Sequence, residues 1–399
     1  FEKETDTLDG WFDSGSTHFA AMERDQHFWP ATMYIEGLDQ YRGWFQSSLL
    51  VAVGALGRGA PFKECVTHGW TVDGEGKAMH KSLGNGMDPA EIFDKYGADL
   101  LRLWAGSADY HVDVRCSDEI FKQLSQNYLK FRNTCKFCLD NLVGFDADHL
   151  VQPDEMLPLD KWAVTRLNTL IEKVFAAYDN YEFHVVSHMV NDFCVVDLSS
   201  FYFDIIKDRL YCGEGNSPER RSAQSAVWMI LDAMTRLFAP ILAFTCDEVW
   251  LAMPHRAGDD ARNVLLNQMV QPYAAYALSD EEMAKWARIA ALRTVVNGAL
   301  EQARADKTIG KSLEAEVDLT VTAEDAFLTD MDAADLADLL IVSQVRVEVA
   351  AELTVAVRPA NGAKCLRCWK VLPTVGSDAG HPDLCPRCAA VVKNLPVIE

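Results

Sequence analysis

The spacing of apolar positions changes twice along the chain. Up to about residue 115, short apolar runs alternate with helical stretches. Thr32-Met33-Tyr34-Ile35 predicts a strand, Trp44, Leu49 and Val53 a helix, and the run from Glu64 to Val72 a second strand. A polar, glycine-rich loop follows from Asp73 to Gly86. Asp88 is a good N-cap, Pro89 suits the first helical position and Glu91 the third, so a helix starts there. Strands alternating with helices predict a parallel α/β sheet. From 117 to 305 the period becomes helical, as in Ile120-Leu124-Tyr128-Phe131, Trp162-Leu167-Leu170-Val174 and Val227-Ile230-Leu231-Met234-Leu237. Gly213 to Pro218 reads as a turn between helices, and Pro240, Pro254 and Pro272 punctuate the rest. This pattern predicts an antiparallel bundle. Between 313 and 355 the period drops to two in Glu316–Val321 and Val345–Val349, with an acidic helix between them, which predicts a small α/β subdomain. Asn361-Gly362 opens a cysteine-rich tail.

Composition narrows this picture without redrawing it. Of 399 residues, 49% are hydrophobic, enough for a sizeable core, and no apolar run approaches the length of a membrane helix. The chain starts at Phe1 with no signal-peptide pattern, inside what reads as a folded motif, and is expected to be part of a longer protein. The net charge of −22 argues against general affinity for nucleic acid. From Ala356 onward, however, six Lys/Arg face three acids, a local +3 that leaves −25 on the remainder. A basic tail on an acidic body suits contact with a polyanion. The 11 cysteines are odd in number, and seven are scattered through apolar sequence, the usage of a reducing compartment. Cys135 and Cys138 fall on the apolar stripe of a helix and are expected to pack in a core.

The tail carries a chemical signal of its own. Cys365-x2-Cys368 and Cys385-x2-Cys388 stand 16 residues apart. Two such knuckles form a zinc pattern, in which four thiolates give closed tetrahedral coordination and a structural ion. The alternatives are His381 standing in for one ligand, or four unliganded thiols. Arg367, Trp369, Lys370 and Arg387 surround the knuckles, and cationic with aromatic side chains suit contact with phosphates and unpaired bases. A zinc ribbon without that role would carry such residues too.

Gly76-Lys77-Ala78-Met79-His80-Lys81-Ser82-Leu83-Gly84-Asn85 resembles the lysine-serine signature loop of class I aminoacyl-tRNA synthetases. Glu36-Gly37-Leu38-Asp39-Gln40-Tyr41-Arg42-Gly43-Trp44-Phe45, Thr7 to Ser16, Lys161-Trp162-Ala163, Asn297 to Leu313 and the terminal cysteines are similar to the isoleucyl-tRNA synthetases. The resemblance implies part of a Rossmann-type catalytic domain over 1–115, a helical anticodon-binding domain over 116–310, an α/β subdomain over 311–358 and a zinc-binding domain over 359–399. It implies an ATP-dependent isoleucine–tRNA ligase with Mg-ATP, L-isoleucine and tRNA(Ile) as partners and one structural Zn2+, acting as a cytoplasmic monomer. Lys81 would be catalytic, with Ser82 and His68 also at ATP, and Glu36, Gly37, Asp39 and Gln40 at the aminoacyl-adenylate. Arg367, Trp369, Lys370 and Arg387 would touch tRNA. Trp11, Phe12 and Trp44 would shape an apolar pocket. A hydrophobic pocket separates isoleucine from valine poorly, so a valine-specific relative is the near alternative. The sequence departs from the family at Leu38 and Tyr41. It also departs at Ala78 and His80 in the signature loop, where Lys77 is expected to supply part of the missing charge. It holds no His-x-Gly-His signature and no editing domain, so a non-catalytic tRNA-binding module is the distant alternative.

Overall fold

The structure, a computed structural model, describes residues 2–26 and 28–395, apart from the side chains of Gln26 and Lys81. It forms two compact units, residues 1–126 with 182–184 and residues 127–181 with 185–399.

The first unit opens with α1 (Gly10–Gly15), whose N-cap Asp9 accepts from the Trp11 amide, followed by a wide π turn and the short α2 (Arg24–Gln26). Strand β1 (Ala31–Gly37) pairs in parallel with β2 (Phe62–His68). Between them run α3 (Trp44–Leu50) and a π turn to Ala55. The apolar run from Glu64 to Val72 is not one strand. It breaks after His68 and resumes as β3 (Thr71–Val72), which pairs in parallel with β4 (Val114–Arg115). Gly69 makes the break possible. Its amide leaves the first sheet to donate to the Tyr110 carbonyl, and a Cβ there would sit 2.5 Å from the Val112 backbone. Helix α4 (Pro89–Tyr96) starts at Asp88 as its sequence predicts, with the carboxylate accepting from the Ala90 amide. Helix α5 (Ala98–Ser107) and the first turns of α6 (Asp118–Asn141) close over Ile92, Leu100, Leu103 and Phe121, all buried.

The second unit is the predicted helix bundle, continuing through α7 (Pro158–Asp179), α8 (Phe183–Asp192), α9 (Phe203–Cys212), α10 (Pro218–Phe238), α11 (Ala243–Ala252) and α12 (Asp280–Ala305). Every residue of α10 from Ser222 to Phe238 is buried, so it is the central helix, enclosed on all sides. Most buried polar groups of the bundle find partners, Thr235 Oγ1 on α10 being an exception. Asp160 accepts from the Tyr202 hydroxyl at 2.7 Å, the Ser222 hydroxyl at 2.6 Å and Arg209 at 3.0 Å. Between α8 and α9 the helix widens into a π segment, Phe193–Tyr202. Within this segment the Ser200 carbonyl accepts from buried Arg293 at 2.8 Å. Cys135 and Cys138 are buried in the bundle core, where burial holds both thiols protonated.

The α/β subdomain has a three-stranded sheet in the order β6-β5-β7. Strand β5 (Ala315–Val321) runs parallel to β6 (Gln344–Val349), reached through α13 (Ala333–Leu340), and antiparallel to β7 (Thr354–Pro359). The third strand lies mostly past the alternation read from the sequence, because Thr354 to Pro359 buries neither face fully. In the tail, β8 (Ala363–Lys364) pairs with β9 (Val371–Leu372), and α14 (Pro386–Lys393) ends the described chain. Among the described residues no helix is long and apolar enough to cross a membrane.

Candidate active site and metal centre

Parallel pairing of β1 and β2 sets Glu36 beside Thr67 and Gly37 beside His68. The carboxyl ends of the two strands therefore coincide, which is where ligands bind on open α/β sheets. Glu36 accepts from the Gly37 amide at 2.7 Å. A Cβ on Gly37 would fall 2.8 Å from Asp39 Oδ1 and 3.9 Å from His68 Cε1, so a side chain there would displace the Asp39 carboxylate. Glu36, Gly37, Asp39 and His68 thus gather at one sheet end. His68 Nδ1 faces the Gly69 carbonyl at 2.8 Å, so Nδ1 carries the proton and Nε2 is left as an acceptor. Asp39 Oδ1 is buried without a hydrogen-bond partner. Gln40 accepts from the Trp44 amide at 2.9 Å and thereby fixes the start of α3. Trp44 stacks on Tyr34 at 4.5 Å and donates to the Ser14 carbonyl, whereas Trp11 and Phe12 stand about half exposed.

The loop after β3 returns on itself. Val72 bridges to Ala78, the Asp73 amide donates to the Lys77 carbonyl and the Asp73 carbonyl accepts from the Gly76 amide. Its tip, Lys81–Leu83, is a 3-10 turn on which Ser82 is exposed. The side chain of Lys81 lies outside the described residues. Lys77 does not point its charge along the loop but pairs with Glu75 at 2.7 Å, with both side chains exposed. The sequence reading passed over two residues here, Asp73 and Asn85, which join the base of the loop at 2.8 Å. Their signal was an Asp and an Asn flanking a glycine-rich turn.

In the second unit Cys365, Cys368, Cys385 and Cys388 are all buried, and their sulfurs lie within 4.8 Å of one another. Zn–S bonds of ~2.3 Å place tetrahedral sulfurs roughly 3.8 Å apart, and Cys368 Sγ lies 3.9 Å from Cys385 Sγ. The donor set fits a tetrahedral thiophilic ion. Burial opposes ionisation of Cys365, but amides of Cys368, Cys385 and Arg367 aimed at its sulfur outweigh it and bring the thiol down to about 6. Burial holds Cys368 and Cys388 up. His381 is absent from the cluster.

The basic residues around the knuckles turn mostly inward. Arg367 donates to the Cys212 carbonyl and lies 3.9 Å from Cys388 Sγ. Lys370 pairs with Asp338 on α13, and Arg387 makes a two-pronged pair with Asp208 on α9. Burial pushes the Asp208 carboxyl up, and the Arg387 hydrogen bond and charge pull it down by more. Of the four, Arg367 and Lys370 are half-buried, Arg387 stays exposed beside Asp208, and Trp369 stands furthest out, 56% exposed with Lys311 over its ring at 5.6 Å.

Residues 1–117 match the class I tRNA synthetases for I, L, M and V. Residues 160–319 match the anticodon-binding domain of tRNA ligases, and 362–391 the zinc finger found in FPG and IleRS. The isoleucine–tRNA ligase of Moorella thermoacetica is 47% identical over 99% of this chain and 44% of its own length. That of Geobacter sulfurreducens is 47% identical over 98% of this chain and 43% of its own. The chain thus spans less than half the length of these relatives. Among solved structures, the LeuRS-tRNA-LeuAMS ternary complex of Agrobacterium radiobacter shares the fold at a TM-score of 0.53 and 16% identity, over 90% of this chain and 37% of that one. By its whole-length likeness to these ligases, its three matching domains and its paired cysteine knuckles, the chain belongs to the isoleucyl-tRNA synthetase family of class I aminoacyl-tRNA synthetases.

Proposed function

We propose that this chain supplies the signature-loop half of the active site, the anticodon-binding bundle and the zinc-binding tail of a cytoplasmic, monomeric isoleucine–tRNA ligase. The domains proposed are 1–115, 116–310, 311–358 and 359–399. The reaction joins the isoleucine carboxylate to the α-phosphate of Mg-ATP, releases pyrophosphate and passes the acyl group to tRNA(Ile). Glu36 and Asp39 supply negative charge for the substrate ammonium, with Gly37 and Gln40 shaping the site around the adenylate. His68 presents Nε2 to the nucleotide. Lys81 and Ser82 reach the phosphates from the loop tip, where a compact ammonium on a mobile stem offsets developing charge. A zinc ion, when bound to the four cysteines, closes the tail as a fold element and takes no part in the chemistry. Arg367, Trp369, Lys370 and Arg387 are proposed at the tRNA-facing end, with Trp369 as the contacting residue and the three cations holding its knuckle.

The parallel register that sets Gly37 beside His68 carries this reading, because it brings Glu36, Asp39 and His68 to one sheet end. The test is amino-acid-dependent ATP–pyrophosphate exchange. It is run on this chain and on this chain joined to the N-terminal portion of the M. thermoacetica ligase. Exchange with isoleucine in the joined protein supports the reading. Preference for valine, or no exchange in a folded, zinc-loaded protein, rejects it. The alternative is a tRNA-binding module without turnover. It expects tRNA binding with no exchange in either form.

A further inference from the structure

We infer that Asp73 and Asn85 form a positioning pair that fixes the base of the signature-type loop and confines its motion to the tip around Lys81–Gly84. The inference rests on the reading of that loop as the ATP-contacting segment. Asn85 uses both ends of its amide. Its Oδ1 accepts from the His80 amide at 2.9 Å, and its Nδ2 donates to Asp73 Oδ2 at 2.8 Å and to the Ala78 carbonyl at 3.1 Å. Asp73 uses both carboxylate oxygens, the second accepting from the amides of Glu75 at 3.0 Å and Lys77 at 2.8 Å. Two side chains thus hold residues 75, 77, 78 and 80 in one hydrogen-bonded ring.

The ring is anchored to regular structure. Val72, next to Asp73, pairs with Arg115 across the β3–β4 sheet and bridges to Ala78. A Cβ on Gly76 would lie 3.6 Å from the Arg115 guanidinium, so the turn also rests on β4. Past His80, among the described residues, the ties are a turn bond from the Leu83 amide to the His80 carbonyl and those of Asn85, and Ser82 and Leu83 are exposed. A clamp of this kind limits what must be ordered when phosphates arrive, which lowers the entropy of closing. It compensates for a loop that has Ala78 and His80 where the family carries charge and a hydroxyl, and whose Lys77 is drawn aside to Glu75.

Asn85→Asp alone sets two carboxylates against each other and springs the ring. Asp73→Asn alone sets two amide donors against each other unless Asn85 turns over and abandons the His80 amide. Asp73→Asn with Asn85→Asp restores the pair in the reverse sense, with a carboxylate oxygen in place of the donor to the Ala78 carbonyl, a repulsion that a small outward shift of that carbonyl relieves. The test is limited trypsin digestion of the 399-residue chain. Mass spectrometry reads cleavage after Lys77 and Lys81, with cleavage after Lys95 on α4 as the control for general unfolding. Each single variant is expected to be nicked in the loop about tenfold faster than wild type with no change at Lys95, and the double variant to return to within about threefold. In the protein joined to the M. thermoacetica N-terminal portion, KM for ATP should rise about tenfold in the single variants and recover in the double, with KM for isoleucine unchanged. Equal nicking of wild type and Asn85→Asp, or a double variant as open as the singles, overturns the pair. If the joined wild type shows no exchange, the activation reading fails, and the nicking series still decides the clamp.

Discussion

At the scale of single residues, the chain places polar groups where sterics and burial leave them little choice. Gly37 is the sharpest case. Gly37→Ala would drive its Cβ into Asp39 Oδ1. Since Asp39 sits at the strand end with one oxygen unpaired, the carboxylate moves rather than the strand. The expected outcome is a melting temperature close to wild type with isoleucine KM raised at least about tenfold in the exchange assay. Asp160 is the opposite kind of residue, fully buried and bonded only within the bundle among the described residues. Asp160→Ala leaves Arg209 without its partner and two hydroxyls unanswered, a loss of about 3–5 kcal/mol in urea unfolding. His18 gives the first unit a pH response. Burial lowers its pKa below the ordinary 6.5, opposed by its bond to the Ser48 carbonyl, with Arg58 lowering and Glu23 raising it further. Its Nδ1 is buried without a partner, so protonation would bury an unanswered charge. A group with a lowered folded pKa contributes stability that is present above its unfolded value and lost as pH falls toward the folded one. The first unit should therefore weaken from pH ~6.5 downward, and His18→Gln, which keeps a donor toward Ser48, should flatten that slope.

At the scale of elements, the tail is held by side chains that composition alone assigns to a polyanion. Arg387 joins α14 to α9 through Asp208, Lys370 joins the first knuckle to α13 through Asp338, and Arg367 caps the carbonyl end of α9. Arg387→Gln should therefore raise hydrogen exchange across α14 at neutral pH while zinc stays bound. Unchanged exchange would mean that the metal alone holds the helix. Much of this architecture was legible in advance. The helical period of α10, the cap at Asp88 and the knuckle spacing each follow from a local rule. What was not legible depended on distant partners. Nothing around Asp208 marks it as the partner of an arginine 179 residues away. The break at Gly69 is masked because the strand-forming residues Trp70, Thr71 and Val72 continue past it, and the approach of the Val112 backbone explains it. The ends of β1 and β2 could be guessed as site positions, but their register, which sets Gly37 against His68, comes from pairing that no single segment encodes.

At the scale of the whole molecule, the cysteines report on the tail. Of the eleven, only Cys65 is exposed. A maleimide should label Cys65 alone in the zinc-loaded protein, read by mass spectrometry. A chelator should add Cys365, Cys368, Cys385 and Cys388, and also Cys212, whose thiol donates to the Arg367 carbonyl beneath the knuckle. Labelling of the four without Cys212 would show a tail that stays docked without metal. The π segment from Phe193 to Tyr202 has a consequence of another kind, for which changes of length this chain tolerates. Each residue of a helix turns the next by about 100°, and α9, with Asp208 and Arg209, follows directly on the widened turns. Insertions or deletions between 193 and 202 are therefore not local edits. One residue fewer either tightens the π turns and withdraws the Ser200 carbonyl from Arg293, or swings Asp208 off the face that receives Arg387. Drift in length should be rare in that stretch and commoner in the loops from 143 to 157 and from 254 to 279, where an added residue can be looped out without rotating α7 or α12.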